Sequence, residues 1–144
     1  IAFLDEVAET IIPTTNTPGA KAAKVGEFMK VMVTDCYEEK DQQIFSEGLN
    51  KIDTASKSKY SKSFIEVTPE ERTALFNEIN KELKTYNEQK KEGDPNHYFA
   101  MMKQLTLLGY FTSEIGATQA LRYVAVPGKY EGCIPYKKGD RAWA

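Results

Sequence analysis

The chain has 144 residues, the size of one ordinary domain, and can bury roughly 68–70% of its unfolded surface without staples. With 41% hydrophobic and 28% charged residues, its composition is globular rather than disordered. A net charge of −2 without a long basic run gives no support to nucleic-acid or anionic-membrane binding, and no apolar stretch reaches the ~20 residues of a membrane span.

The chain opens on Ile1 rather than Met and passes directly into a helical pattern, which reads as a processed or trimmed product with any targeting segment already gone. Phe3, Leu4, Val7, Ala8, Ile11 and Ile12 form one helical stripe with Asp5, Glu6 and Glu9 opposite. Pro13 ends that helix, because its ring disfavours helical geometry at the preceding residue, and Thr14 to Gly19 are turn and cap residues. A second helix is expected from Val25 to about Cys36. Phe28, Met29, Val31, Met32 and Val33 leave it little polar face, so it should sit deep. A third is expected from near Glu39 to Asp53, burying Ile44, Phe45, Leu49 and Ile52, with the Ser- and Lys-rich stretch from Thr54 to Ser63 as an exposed loop.

Thr68-Pro69-Glu70-Glu71 is the clearest start signal. Thr68 can accept the Glu71 N–H while the Glu71 carboxylate reaches back, and Pro69 suits the first helical position. The helix it opens should bury Leu75, Phe76, Ile79, Leu83 and Tyr86 and dissolve in the polar run Asn87 to Asn96. Tyr98 to Phe111 is nearly all apolar and lacks period-two alternation, so it reads as a central helix covered on several sides. A shorter helix is expected around Glu114 to Tyr123, capped by Ser113. Beyond Val124, Pro127, Gly128, Gly132, Pro135 and Gly139 preclude a continuous helix. The expectation is an all-α, single-domain bundle of about five to six helices, helical to about residue 123, with an irregular Gly/Pro/Tyr-rich tail over 124–144.

Residues that could carry chemistry do not assemble into a local motif. His97, the lone histidine, follows Pro95-Asn96 at a helix start, where an imidazole caps or faces solvent more often than it acts as a base. Glu38, Glu39 and Asp41, Glu70 and Glu71, and Glu78 and Glu82 fall on polar helix faces. The glycines match neither GxGxxG nor GxxxxGK[ST], and Cys36 and Cys133 fit no CxxC spacing. The two cysteines are either a disulfide, in an oxidising compartment, or two unpaired, buried thiols. The tail is the odd feature. Five of the eight tyrosines lie from Tyr98 to Tyr136, and Trp143 is the sole tryptophan. Irregular chain rich in Tyr, Trp, Gly and Pro, with Arg122 nearby, has the composition of a partner-binding surface, the alternative being a tail that folds back and buries its own aromatics.

Ile11-Ile12-Pro13, Asn16-Thr17-Pro18-Gly19-Ala20, and above all the string Leu105 to Gly116 resemble the gluconate 2-dehydrogenase subunit 3 family. Leu121-Arg122-Tyr123, Pro127 to Cys133 and Ala142-Trp143 extend the resemblance along nearly the whole chain, with the middle helices diverged. It implies a small periplasmic accessory subunit without catalytic, cofactor or metal residues of its own. The partner implied is a large flavin-containing (FAD) sugar or alcohol dehydrogenase subunit, often with a c-type cytochrome subunit. The resemblance also implies a twin-arginine signal and a part in the export of the folded partner. The partner interface is expected at Thr112, Ser113, Glu114, Arg122, Tyr123, Tyr130 and Trp143. Two rivals make different demands: a free-standing helical domain with a closed apolar pocket beside Met101, Met102 and Leu105, and a redox switch needing Cys36 and Cys133 with Cα atoms within about 7 Å.

Overall fold

The computed structural model describes residues 1–126 and 128–143. Five α-helices run in order: α1 (Ala2–Ile11), α2 (Val25–Cys36), α3 (Glu39–Tyr60), α4 (Pro69–Gln89) and α5 (Tyr98–Phe111), followed by a π-helical turn at Gly116–Ala120. The fold is all-α. α5 is the central element and packs against each of the other four helices. It buries Tyr98, Phe99, Met101, Met102, Leu105, Thr106, Gly109 and Tyr110. A row of aromatic rings, Phe3, Phe64, Phe76 and Phe99, runs from α1 through the α3–α4 connection and α4 to α5, with successive centroids 5.2, 5.2 and 5.0 Å apart.

Local signals place most helix ends. α1 stops before Pro13, and the α4 capping box forms in both directions, with the Glu71 N–H donating to Thr68 Oγ1 and the Thr68 N–H donating to the Glu71 carboxylate. His97 caps α5, its Nδ1 accepting the Phe99 N–H at 3.2 Å.

Three expectations are corrected and one contribution to the core is added. α3 does not stop at Asp53 but runs to Tyr60, because Ser56 lies on its inner face, fully buried, and donates to the Lys62 carbonyl. An Asp53–Lys57 ion pair one turn apart also supports that last stretch, which ends where Ser61 turns left-handed at φ 57°. α2 does not sit deep: only Val25, Gly26 and Met29 are buried, and Val31 is exposed. The connection after α3 supplies core side chains of its own, the buried Phe64 and Val67. The last helix is shorter than expected, ending at Ala120 as a π-helical turn, although Ser113 does cap it by accepting the Gly116 N–H.

An ion network ties α1 to the rest. Arg72 pairs with Glu6, donates from Nε to the Phe64 carbonyl at 3.0 Å and from its other guanidinium nitrogen to the Ile65 carbonyl at 2.7 Å. Burial pushes the Glu6 carboxyl up, but Lys21 and Arg72 outweigh it and hold the group below its ordinary value.

Candidate functional site

The string around Pro18 and the string Leu105 to Gly116 meet in space. After Pro13 the chain folds around the Glu9 carboxylate, which accepts the Thr14 N–H and hydroxyl and the Lys21 N–H. A Cβ on Gly19 would collide with that carboxylate, so a larger residue there would have to displace the Glu9 side chain from its three hydrogen bonds. The Pro18 carbonyl then accepts the Tyr110 hydroxyl at 2.7 Å, fastening this loop to the C-terminal end of α5. Gly116 lies so close to the Tyr110 carbonyl that a side chain would collide with it, which seats the π-helical turn on the same spot. These contacts fix the point from which the tail departs.

The tail leaves the bundle at Arg122 and returns at Arg141. The Arg122 N–H donates to the Ala142 carbonyl at 2.7 Å, Arg122 Nε to the Arg141 carbonyl at 2.6 Å, and Arg122 forms an isolated parallel bridge with Trp143. The Arg122 guanidinium lies 4.6 Å from the Trp143 ring centroid. Arg141 donates to both the Thr118 and Gln119 carbonyls at 2.9 Å, groups that the end of a helical turn leaves without intrahelical partners. The segment between forms a loop closed at its base.

Within that loop the side chains stand out into solvent. Tyr130 is 95% exposed, Val126 82% and Tyr136 74%, and Tyr123, Val124, Ile134 and Trp143 are also exposed. Val124, Val126, Tyr130, Ile134 and Trp143 line a recess of about 750 Å³, with Lys129 and Glu131 paired at 2.7 Å on its wall. The tail therefore does not bury its aromatics against the bundle. Leu107, Leu108 and Phe111 on the last turns of α5 are also exposed, so that helix is covered on fewer sides than its composition suggests.

The residues expected at an interface divide into three groups. Thr112 and Ser113 spend their hydroxyls on the Leu108 and Tyr110 carbonyls, and so terminate α5. Arg122 and Trp143 close the loop. Glu114, Tyr123 and Tyr130 are free on the surface. Sequence reasoning missed Arg141, whose role depends on carbonyls more than twenty residues away, and the aliphatic lining of the recess.

The remaining candidates do not converge on a site. Cys36 and Cys133 are free, exposed thiols, which corrects both the disulfide and the buried-thiol readings. Met101, Met102 and Leu105 are buried in the core cluster. Among the described residues, no three His, Cys, Asp or Glu side chains are grouped to hold a metal ion, and no helix is long and apolar enough to cross a membrane. The clearest titration shifts lie in the framework. Burial, with Glu82 nearby, pushes the Tyr98 phenol up to about 12, and Lys57, the Ser63 hydroxyl and the Phe64 N–H bring Asp53 down to about 2.

The all-α bundle thus holds an aromatic loop on a fixed base and leaves its side chains uncovered. The chain belongs to the gluconate 2-dehydrogenase subunit 3 family, whose model matches residues 1–128. The matched stretch thus spans the bundle and the start of the loop. Comparison with curated proteins and with solved structures finds no match.

Proposed function

We propose that the chain is a non-catalytic small subunit that binds and stabilises a large, flavin-containing sugar or alcohol dehydrogenase subunit through its C-terminal loop. Family membership supports the association with a dehydrogenase. The observation that carries the choice of surface is the loop itself, with Tyr123, Val126, Tyr130, Tyr136 and Trp143 uncovered while both ends are tied to the bundle. Large aromatic and aliphatic side chains around a recess are the groups that supply most binding free energy when a partner desolvates them.

In this reading FAD and substrate reside in the large subunit, a c-type cytochrome subunit accepts its electrons, and the complex works in the periplasm. The small subunit stabilises the folded partner by mass action, about 2.7 kcal/mol at a free concentration of 100 times Kd. A partner held folded in this way suits export as a cofactor-loaded protein, the second role assigned to this chain.

The test is co-purification of the large subunit with the full chain and with a chain truncated after Val126. The truncation retains every residue of α1 to α5, so its helical content by circular dichroism should be nearly unchanged. Loss of the large subunit is expected. Undiminished recovery would refute the loop as the docking surface.

A further inference from the structure

The geometry points to Arg141 as a positioning residue that clasps the loop shut and presents its aromatic face ready-made to the partner. This rests on the docking role proposed above.

Four hydrogen bonds and one cation–π contact converge at the loop's base, and Arg141 organises them. Its guanidinium bridges the Thr118 and Gln119 carbonyls at the end of the π-helical turn. A cation there also meets the negative end of the local backbone dipoles. With Arg141 seated, its own carbonyl accepts Arg122 Nε, and the next carbonyl, that of Ala142, accepts the Arg122 N–H. Trp143 then lies under the Arg122 guanidinium. Two arginines and one tryptophan thus exchange partners across a chain separation of about twenty residues.

The loop itself has little to hold it. Among the described residues, its internal ties are the Lys129–Glu131 ion pair and a turn in which Asp140 and Lys137 bond each other. A loop with so few contacts of its own keeps its shape chiefly through the closure of its ends. Closing the ends before binding removes the ordering cost from the docking step, so the clasp should raise affinity without touching the partner.

The experiment compares the full chain with Arg141→Ala and Arg141→Lys, each alone and with the large subunit. Hydrogen exchange at the Arg122 amide reads the clasp directly, because that N–H is bonded to Ala142. Fluorescence anisotropy of Trp143, the sole tryptophan, reads the same closure. In Arg141→Ala the Arg122 amide should exchange roughly tenfold faster, the Trp143 anisotropy should fall, and partner affinity should drop roughly tenfold. Arg141→Lys, which can donate to one of the two carbonyls, should fall between. Unchanged exchange and anisotropy in Arg141→Ala would overturn the clasp. An opened clasp with wild-type affinity would overturn its positioning role while leaving the docking loop standing, provided the truncation after Val126 still abolishes binding. Wild-type affinity in both the substitution and the truncation would refute the docking loop itself.

Discussion

Replacing Arg72 with methionine tests the ion network that joins α1 to the α3–α4 connection. The side chain is 11% exposed, that of its partner Glu6 19%, and the guanidinium also serves the Phe64 and Ile65 carbonyls. Methionine keeps an apolar stem but loses the guanidinium that lies 5.5 Å from the Phe64 ring centroid, and strands a part-buried carboxylate and two carbonyls. Removing one member of a buried pair costs about 3–5 kcal/mol. Here Lys21 still reaches Glu6 from a mostly exposed position, which places the expected loss at the lower end, about 3 kcal/mol. For a chain of this size that corresponds to a fall in Tm of about 10 °C. Thermal and denaturant unfolding followed by circular dichroism measure it. Adding Glu6→Gln to Arg72→Met should recover part of the loss, because the stranded charge is then gone. The pH dependence follows from the depressed Glu6 carboxyl. Stability from the pair is present above the ordinary carboxylate range and lost as pH falls through the lowered value, so the gap between wild type and Arg72→Met should narrow in acid. A loss below about 1 kcal/mol, or no recovery in the double variant, would refute the reasoning.

Gly48→Ala should destabilise the chain by about 1–2 kcal/mol although alanine is the better helix former, since the new Cβ would sit 2.5 Å from Tyr98 Cβ in the core; equal or higher stability in urea unfolding would show that α3 and α5 can separate freely. Asp53 is held at about 2 by Lys57, Ser63 and Phe64, so its stabilising contribution is present above about pH 4 and lost as pH falls towards 2. Asp53→Asn should therefore be less stable than wild type at neutral pH and approach it below about pH 3, and a gap that stays constant across that range would contradict the assigned pairing.

Much of the framework is legible locally. Pro13 ends α1, the Thr68 and Glu71 pair opens α4, and unbroken apolar character from Tyr98 marks α5, because capping and helical periodicity act over about four residues. What lies beyond that range needed neighbours. The Ser- and Lys-rich stretch after Asp53 is helical because Ser56 finds the Lys62 carbonyl and an inner face to occupy, which composition does not encode. The same limit explains why α2, apolar nearly all round, leaves Val31 exposed.

The tail divides along the same line. Its aromatic, Gly/Pro-rich composition marked it as the unusual segment, and the strings around Pro18 and Leu105 to Gly116 marked the family. Whether the aromatics turned inward or outward was a tertiary matter. Burial depends on surfaces that five packed helices do or do not leave open, and here the Tyr110–Pro18 bond and the seat of Gly116 carry the tail away from the core. The Arg141 clasp belongs to the same class. A guanidinium finds carbonyls far away in sequence only after the chain has folded, so no local pattern announces it.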